Sequence, residues 1–564
     1  MKRNLAALAN TNFDVLIIGG GIYGVWTAWD AAQRGLSVAL VEKGDFGSAT
    51  SSNSLKIMHG GLRYLQHADF KRMRESIRER SILLRVAPHL VHPLPCLMPT
   101  YGHAMKGREA LGIALHMNDV LSFDRNTQLD DPQKHIPGGH LVSAGEVQRL
   151  VPEVETKNLT GGALWYDCQT YNTERLLFSI LHSAVNAGAE VANYVEAAGF
   201  IKEKDCITGV RAKDVLTGDQ LDIRAKITIN NSGPWVDRVL NLVNGGHTPV
   251  GYPKRKFLPS KTMNLVVKRQ LIPEYAVGVS SKFEFKDKDA LISKGSRALF
   301  IVPWRNHSLV GTTHLPFEGD ASNFKITEED VHTFMNELNA AYPAAALKRA
   351  DISFFYGGLL PMAPSNGHQG DVRLVKHYTL CDHRQEDGIE GLVTVVGVKY
   401  TTARDVAEKT IDLIFKKLGH QPPRCRTHET PVHGGDIRRF DEFMQRETSR
   451  RPHGLSVEIV KTLLYNYGSA YHEVLKYADT NLDAVQPIAP DSNVLRAEVL
   501  YNIREEMAQK LVDVIRRRTE LGSAGYPGED AVQACAAIMA AELGWDAAKI
   551  QNEIRDVKAV YSAA

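Results

Sequence analysis

Three glycines near the start of the chain have the spacing of a phosphate-binding turn. Residues 15–18 are all apolar, and Gly19, Gly21 and Gly24 follow them in the pattern G-x-G-x-x-G. In such a turn the first glycine bends the chain, the second lets the backbone approach a pyrophosphate, and the third lets a helix pack on the strand. The helix is predicted over 22–33, and its first N–H groups would face the phosphates.

A carboxylate completes this unit at the end of the next predicted strand, 37–41. Glu42 stands where it would meet the ribose hydroxyls of an adenosine. Strand, turn, helix, strand and acid together indicate a dinucleotide site, and a glycine-rich turn without a ligand is the alternative. The residues predicted to bind the dinucleotide here are Gly19, Gly21, Ile22, Tyr23, Gly24, Glu42 and Lys43.

The segment after this unit favours FAD over NAD. An NAD domain usually continues as alternating strands and helices, whereas residues 44–66 are polar, rich in glycine and hydroxyl groups, and without periodicity. So long a loop suits the extended remainder of FAD, and a plain surface loop is the alternative. The predicted FAD contacts in it are Thr50, Ser51, Ser52, Ser54, His59, Gly60 and Gly61. No His or Cys has an obvious flavinylation context, so the FAD is expected to be non-covalent.

Length and composition exclude several classes of protein. The 564 residues suggest two or three domains, and the net charge of +2 gives no field that would attract nucleic acid. The six cysteines have no CxxC spacing, so neither a zinc site nor a redox dithiol is expected, and they fit a reducing compartment. The first 13 residues do not have the pattern of a secretory signal, and no apolar run approaches the roughly 20 residues of a membrane span. The sequence therefore predicts a cytoplasmic enzyme without a metal.

Residues 50–65, TSSNSLKIMHGGLRYL, end in a motif with a known counterpart. They resemble the serine-rich stretch of the FAD-dependent glycerol-3-phosphate dehydrogenases, within the D-amino-acid-oxidase-like flavoproteins. The similarity continues through 78–90, 229–239, 299–313, 395–409 and 497–522, nearly the whole chain. The resemblance implies oxidation of glycerol 3-phosphate to dihydroxyacetone phosphate, with a hydride passing to FAD and electrons then to a quinone at a membrane.

The fold expected from this resemblance is α/β. A Rossmann-like FAD-binding domain is interleaved with an α+β substrate domain, and an all-helical domain follows. The predicted boundaries are 1–430 for the first two, with FAD segments at about 12–90, 140–240 and 350–420, substrate segments at about 91–139 and 241–349, and the helical domain at 431–564. Apolar spacing predicts helices within 455–469, 495–522, 528–544 and 547–562, and two β runs joined by a turn over 299–313.

A strand, a loop and a helix are predicted over 391–419. The helix should begin near Thr401, with Ala403, Ala407, Ile411 and Ile414 on one face. Its N-terminus would stabilise negative charge on a reduced flavin. Further FAD contacts are expected at Gly233, Trp235, Gly397, Lys399, Tyr400 and Thr401.

Oxidation of an alcohol by a flavin requires a base for the hydroxyl proton and cations that hold substrate and oxyanion. Arg63 and Lys399 are the predicted cations, because both stand in family-like motifs within loops, although a solvated surface charge is the alternative for any Arg or Lys. His59, His314 and Lys399 are the candidate bases, and a lone histidine is more often structural. The predicted catalytic residues are Arg63, His314 and Lys399.

The substrate half departs from the family pattern at two positions. Leu360, in YGGLLPM, stands where the family has an arginine for the phosphate, and Asn264, in KTMNLVV, stands where it tends to have a histidine. Lys376 takes the place of a common arginine, and Tyr64 either bonds the substrate or packs. The predicted substrate-binding residues are Arg63, Tyr64, Asn264, Leu360 and Lys376. The departures leave open another polyol phosphate, an unphosphorylated hydroxy compound, an oxygen-using oxidase, or a non-catalytic FAD-stabilised assembly protein.

Two segments bear on partners. Residues 107–123 read either as an amphipathic helix at the inner face of the cytoplasmic membrane or as a helix packed on the core. Arg516–Arg518 are predicted to form a solvated helix face, and a contact with anionic lipid is the less favoured alternative. The expected partners are a small hydroxy substrate, a quinone or other electron acceptor, a peripheral membrane contact and a second copy in a homodimer, without nucleic acid.

Overall fold

The computed structural model describes residues 1–62, 64, 68–103, 107–245, 257–283, 298–363 and 373–564. Its strands are β1 (Asn12–Ile18), β2 (Val38–Val41), β3 (Ile57–Met58), β4 (Val91–Tyr101), β5 (His140–Val142), β6 (Leu159–Thr170), β7 (Glu190–Ala192), β8 (Val195–Glu203), β9 (Cys206–Asp214), β10 (Gln220–Asn230), β11 (Leu258–Val267), β12 (Ala276–Ser280), β13 (Ala298–Trp304), β14 (His307–Pro316), β15 (Ile352–Ala363), β16 (Arg373–Leu374), β17 (Thr379–Asp382) and β18 (Leu392–Val396). Its helices are α1 (Leu5–Asn10), α2 (Ile22–Gln33), α3 (Phe70–Val86), α4 (Arg108–Leu121), α5 (Ala144–Leu150), α6 (Thr173–Asn186), α7 (Val236–Asn241), α8 (Glu328–Ala341), α9 (His383–Asp387), α10 (Ala403–Lys417), α11 (Phe440–Arg450), α12 (Val457–Tyr467), α13 (Tyr471–Thr480), α14 (Arg496–Glu506), α15 (Leu511–Asp513), α16 (Glu529–Leu543) and α17 (Ala547–Val560).

The first sheet is built around parallel strands. Parallel pairing joins β18, β10, β1, β2 and β7 in that order. The strands β17, β9 and β8 extend the sheet through antiparallel pairs. β1 pairs with β2 on one side and with β10 on the other, so the strand order reverses at β1. At such a switch point a crevice forms beyond the carboxyl ends of the parallel strands.

The second sheet lies beside the first and is mainly antiparallel. Its order is β16, β15, β11, β14, β13, β12, β4, β6 and β3, with β5 paired to β6. The predicted pair of β runs is confirmed, since β13 and β14 pair antiparallel around the turn at Arg305. The chain passes between the two sheets several times, and the division into domains stays a prediction.

Three helices cover the first sheet. The predicted helix over 22–33 is confirmed as α2, and α10 begins at Ala403, two residues after the expected start. The residues Ala403, Ala407, Ile411 and Ile414 are buried as predicted. They share one hydrophobic core with α2, α6 and β1. No helix of the described residues has both the length and the apolar character that spanning a membrane requires.

The C-terminal part is helical, from α11 to α17. The prediction of one helix over 495–522 is wrong, because α14 ends at Glu506 and Met507 takes a left-handed conformation with φ +55°. A helix cannot continue through a residue in that region. The chain resumes as α15 and a wide turn over 514–518.

Arg516–Arg518 are buried, so the expectation of a solvated face or a lipid contact is wrong. Arg517 Nε and Arg518 Nη1 each donate to Asp45 at 2.6 Å, and all three side chains lie in the interior. Burial alone would raise the pKa of Asp45, but the two arginines hold it at about 2. The sequence around an arginine run does not show whether the run is exposed or buried in ion pairs. Here Asp45, the partner of Arg517, lies 472 residues away in the chain.

Candidate functional site

A cleft runs along the carboxyl ends of the parallel strands. Ile18, Glu42, Asn231 and Gly397, at or just beyond the ends of β1, β2, β10 and β18, lie in its wall. The opposite wall comes from the second sheet, through β11, β14 and β15. The cleft thus lies where an open parallel sheet binds its ligand.

Gly19 and Gly24 have the tight turn and the close helix packing that the sequence predicts. Gly19 has φ +112°, and a Cβ there would lie 2.5 Å from the carbonyl oxygen of Asn231. A Cβ on Gly24 would lie 1.9 Å from the carbonyl oxygen of Gly19, so a side chain would force α2 away from β1. At Gly21 a Cβ has room apart from Ser51 Oγ at 3.1 Å, but it would project into the cleft.

Glu42 fixes the turn as well as lining the cleft. Its carboxylate accepts the N–H groups of Gly20 and Gly44, both at 2.8 Å. Burial raises the pKa of Glu42, and the two N–H groups oppose that rise. Beside it the Lys43 ammonium lies 3.5 Å above the ring of Trp235, which encloses this end of the cleft. A carboxylate acceptor and an aromatic face suit the ribose and adenine of a dinucleotide.

The serine-rich segment closes over the middle of the cleft. Ser51 Oγ accepts the N–H of Ile22, the first residue of α2, at 3.0 Å. Thr50 Oγ1 donates to the carbonyl of Leu359 in β15 at 2.9 Å, which ties the segment to the second sheet. Ser52 bonds instead within the segment, to the carbonyl of Gly47 at 2.7 Å.

Asp167, in β6, orders the next part of the wall and was missed by sequence reasoning. His59 Nδ1 lies 3.2 Å from its carboxylate, and Gly60 N–H and Arg80 donate to it at 2.6 and 3.0 Å. Although burial opposes it, these contacts lower the pKa of Asp167 to about 2. The charged carboxylate thereby holds the His59 ring at the edge of the cleft. No local pattern marks Asp167, since Arg80 and Gly60 are 87 and 107 residues distant.

Lys399 lies in the loop between β18 and α10 and lines the cleft. Its ammonium is 3.8 Å above the ring of Tyr64. Burial and the nearby Arg72 lower the pKa of Lys399 to about 7, against an opposing effect of Asp69 and Glu75. A lysine with a pKa near neutrality can exchange a proton with a substrate at physiological pH.

Neutral side chains face the cleft from the second sheet. Leu360 and Asn264 both line it, and Thr312, which sequence reasoning missed, donates to Asn264 Oδ1 at 2.7 Å. His314 follows on the same strand outside the lining of the cleft. The Lys376 carbonyl accepts a bond from Arg72 at 2.8 Å, and its side chain is likewise outside the lining.

The structure brings most of the predicted residues together. Those that line the cleft are Gly19, Gly21, Ile22, Tyr23, Glu42, Lys43, Thr50, Ser51, Ser54, His59, Gly233, Trp235, Asn264, Leu360, Gly397, Lys399 and Tyr400. The predicted residues that do not line the cleft are Gly24, Ser52, Gly60, Gly61, Tyr64, His314, Lys376 and Thr401. Arg63 lies outside the described residues. Besides Asp167 and Thr312, sequence reasoning missed the wall residues of 195–198 and Arg238, which carry no motif.

This cleft fits FAD. It has room for a pyrophosphate over Gly21, a carboxylate and an aromatic ring at one end, and a lysine at the other. The residues that would hold the cofactor come from five separate parts of the chain, which an extended ligand would bridge.

Gly21→Val is expected to abolish retention of FAD while leaving the fold intact. The backbone at Gly21 has φ −77°, which valine adopts readily, but its side chain would occupy the space above the turn. The measurement is the flavin absorbance of the purified protein relative to its protein absorbance, with unfolding followed by circular dichroism. Gly145→Val, at an exposed glycine with nothing within 4 Å of its Cβ, is the matched control. Full flavin occupancy in Gly21→Val would show that the pyrophosphate lies elsewhere.

Comparisons with known proteins identify the family of the chain. The family model described as FAD dependent oxidoreductase matches residues 14–399, and that of the C-terminal domain of alpha-glycerophosphate oxidase matches 425–550. A glycerol-3-phosphate dehydrogenase of Synechocystis sp. is 34% identical, over 92% of this chain and 90% of its own. The mitochondrial glycerol-3-phosphate dehydrogenase of Bos taurus is 31% identical, over 99% of this chain and 74% of its own.

Among solved structures, the glycerol-3-phosphate dehydrogenase of Bacillus halodurans, complexed with FAD, superposes with a TM-score of 0.75. It is 25% identical, and the match covers 99% of this chain and 96% of that one. The fold class and the cofactor predicted from the sequence are thereby confirmed. The chain belongs to the FAD-dependent oxidoreductases, in the family of the glycerol-3-phosphate dehydrogenases, and its cofactor is FAD.

Proposed function

We propose that the chain oxidises the secondary alcohol of glycerol 3-phosphate to the ketone of dihydroxyacetone phosphate and passes the electrons to a quinone. The observation that carries this proposal is Lys399, a lysine with a lowered pKa in the wall of the cleft where β18 ends. The relatives named glycerol-3-phosphate dehydrogenase match it over nearly its full length, which supports the substrate.

Bound FAD supplies the acceptor for the hydride that leaves the carbinol carbon. The protein must take the hydroxyl proton and hold the substrate against the flavin end of the cleft. The neutral amine of Lys399 is the proposed base, because its pKa of about 7 leaves much of it unprotonated at neutral pH. His59, oriented by Asp167, is proposed to hold a substrate oxygen. His314 and Lys376 do not line the described cleft and take no part in this proposal.

A different hydroxy substrate is the second candidate, favoured by the neutral wall. Leu360 and the bonded pair Asn264 and Thr312 offer no cation where a phosphate dianion would need charge-assisted hydrogen bonds. Another polyol phosphate or an unphosphorylated hydroxy compound would suit such a wall. Anaerobic bleaching of the bound flavin by glycerol 3-phosphate, other polyol phosphates and free polyols separates the candidates. The proposal fails if glycerol 3-phosphate leaves the flavin oxidised.

Lys399→Met is expected to slow flavin reduction by about a hundredfold or more. In the wild type the rate should rise with pH and level off above about 7, because only the neutral amine accepts the proton and burial lowers the pKa of Lys399 to about 7. Rapid-mixing absorbance measurements across pH test both statements. Lys399→Arg keeps the charge but cannot accept a proton at these pH values, so it should be as slow as Lys399→Met. Full activity in Lys399→Arg, or a rate that falls with pH, would make Lys399 a cation and not the base.

Leu360→Arg is expected to lower the KM for glycerol 3-phosphate. A charged hydrogen bond contributes about 1.5–3 kcal/mol, or roughly ten- to a hundredfold in affinity. Leu360 lines the cleft from β15, so an arginine there would add a cation to the wall that we propose to face the phosphate. Steady-state kinetics of wild type and variant measure the change, and Leu360→Met, of similar size and uncharged, should leave the KM unchanged. Tight binding by the wild type, or no gain in the variant, would show that Leu360 does not face the phosphate.

A peripheral contact with the membrane is proposed for α4. Only Leu115 of this helix is buried, while Ile113 and Val120 are 65% and 60% exposed, and Phe123 just beyond is 81% exposed. An apolar stripe of this kind on a helix can enter the interfacial region of a bilayer. Such a contact would bring the enzyme to a quinone dissolved in the lipid, and oxygen as acceptor remains the alternative. Reduction of a soluble quinone compared with oxygen consumption distinguishes the acceptors.

Replacing Ile113 and Val120 together by Glu is expected to reduce binding to lipid vesicles at least about tenfold. Burial of each aliphatic side chain is worth roughly 1.5–3 kcal/mol, and a carboxylate reverses that gain. Co-flotation with vesicles that contain anionic lipid measures the bound fraction. Leu482→Glu, at a leucine 82% exposed in the C-terminal part, is the control and should bind as the wild type does. Equal flotation of all three proteins, or none by the wild type, would contradict the proposed contact.

A further inference from the structure

Tyr23 was predicted to touch the cofactor because it stands inside the glycine motif, but its hydroxyl is directed elsewhere. It is the second residue of α2, and its side chain reaches the loop between β18 and α10. The hydroxyl donates to the carbonyl of Lys399 at 2.7 Å and accepts the N–H groups of Val398 and Lys399 at 3.1 and 3.0 Å. One donor and two acceptor positions are the whole capacity of a phenol. The hydroxyl is therefore fully used by the loop and has no bond left for a ligand.

The ring of Tyr23 holds the same loop by packing. Gly397 lies against it so closely that a Cβ there would be 2.1 to 2.5 Å from three ring carbons. Glycine is required at 397 because a Cβ would clash with the ring, and not because of its backbone conformation, since its φ lies outside the left-handed region. The ring and the hydroxyl together fix three consecutive residues, 397 to 399.

We propose that Tyr23 is a positioning residue that sets the place of the Lys399 side chain in the cleft. The inference rests on the proposed role of Lys399 as the base. Because two N–H groups of the loop are turned toward the tyrosine, the Lys399 side chain extends from the loop into the cleft and lies over Tyr64. Tyr23 also sits in the first turn of α2, directly after the glycine turn. One side chain therefore couples the turn that holds the phosphates to the loop that carries the base.

Tyr23→Phe tests this with the least disturbance, because it keeps the ring on Gly397 and removes only the hydroxyl. Without it the N–H groups of Val398 and Lys399 lose their acceptor, and losing a partner costs free energy at these partly buried groups. The loop is expected to turn toward other partners and to carry the Lys399 ammonium away from the substrate. A displacement of about 1 Å at a reacting group reduces the rate by one to two orders of magnitude. The rate constant of flavin reduction should fall by about tenfold to a hundredfold, with the dissociation constants of FAD and substrate changed by less than about threefold.

The decisive measurement is a double-mutant cycle with Lys399→Met in the full-length holoenzyme. If Tyr23 acts through Lys399, then Tyr23→Phe should cause no further loss of rate in the Lys399→Met protein. Loss by the same factor in both backgrounds would overturn the proposal, and so would a Tyr23→Phe enzyme as fast as the wild type. Loss of FAD in Tyr23→Phe would also overturn it, because the tyrosine would then be a cofactor ligand. Tyr526→Phe, which removes a hydroxyl bonded to Glu529 on the surface, is the control and should react as the wild type does.

Hydrogen exchange gives a readout that needs no turnover. The amides of Val398 and Lys399 should be protected in the wild type and in Lys399→Met, and should exchange faster in Tyr23→Phe. Gly397→Ala keeps the hydroxyl but pushes the loop off the ring, so it should expose the same amides and slow flavin reduction. Unchanged exchange in Tyr23→Phe would show that the tyrosine does not hold the loop. If Lys399→Met reacts at full rate, the proposed base is wrong, whereas the exchange of these amides still decides whether Tyr23 holds the loop.

Discussion

The cofactor site depends on a carboxylate buried between two arginines. Asp45 follows the strand end that carries Glu42 and precedes the serine-rich segment, and it accepts bonds from Arg517, Arg518 and Asn193. Breaking a buried pair of this kind by removing one partner costs about 3–5 kcal/mol, since a charge is then left in the interior without compensation. The C-terminal helices are thus part of the support of the cleft and not an independent appendage. A second buried contact, between Arg175 of α6 and Glu506 at the end of α14, strengthens the same junction.

From that support the site is assembled at strand ends. The parallel order of the first sheet brings the ends of β1, β2, β10 and β18 to one edge, although they are far apart in sequence. Each end contributes one element: the glycine turn, the acid, the segment at Asn231 and the loop of Lys399. The second sheet supplies the facing wall, and its side chains there are mostly uncharged. We propose that the first sheet holds the cofactor and that the second sheet determines which substrate is accepted.

Local patterns predicted the parts of the structure that local interactions decide. The glycine motif and the helix over 22–33 were found because spacing and periodicity within a few residues determine them. The polar, glycine-rich composition of residues 44–66 and the family resemblance of residues 50–65 predicted that the serine-rich segment lies in the cleft. The burial of Arg516–Arg518 and the part of Asp167 were not predictable, because each depends on a partner brought near only by the fold. Tyr23 shows the intermediate case: its place in the motif was evident, but its bonds run to a loop 376 residues away.

The distance along the chain between Asp45 and its arginines has a consequence during translation. Arg517 is made 472 residues after Asp45, which at roughly 5–20 residues per second takes on the order of a minute. Throughout that time the nascent segment around Asp45 has a carboxylate whose burial is not yet compensated, so it cannot settle into its final packing. The residues of the glycine turn are therefore synthesised early. The wall behind that turn becomes stable only when the C-terminal helices have emerged from the ribosome. The final packing of the wall behind the glycine turn therefore requires the C-terminal helices as well as the first sheet.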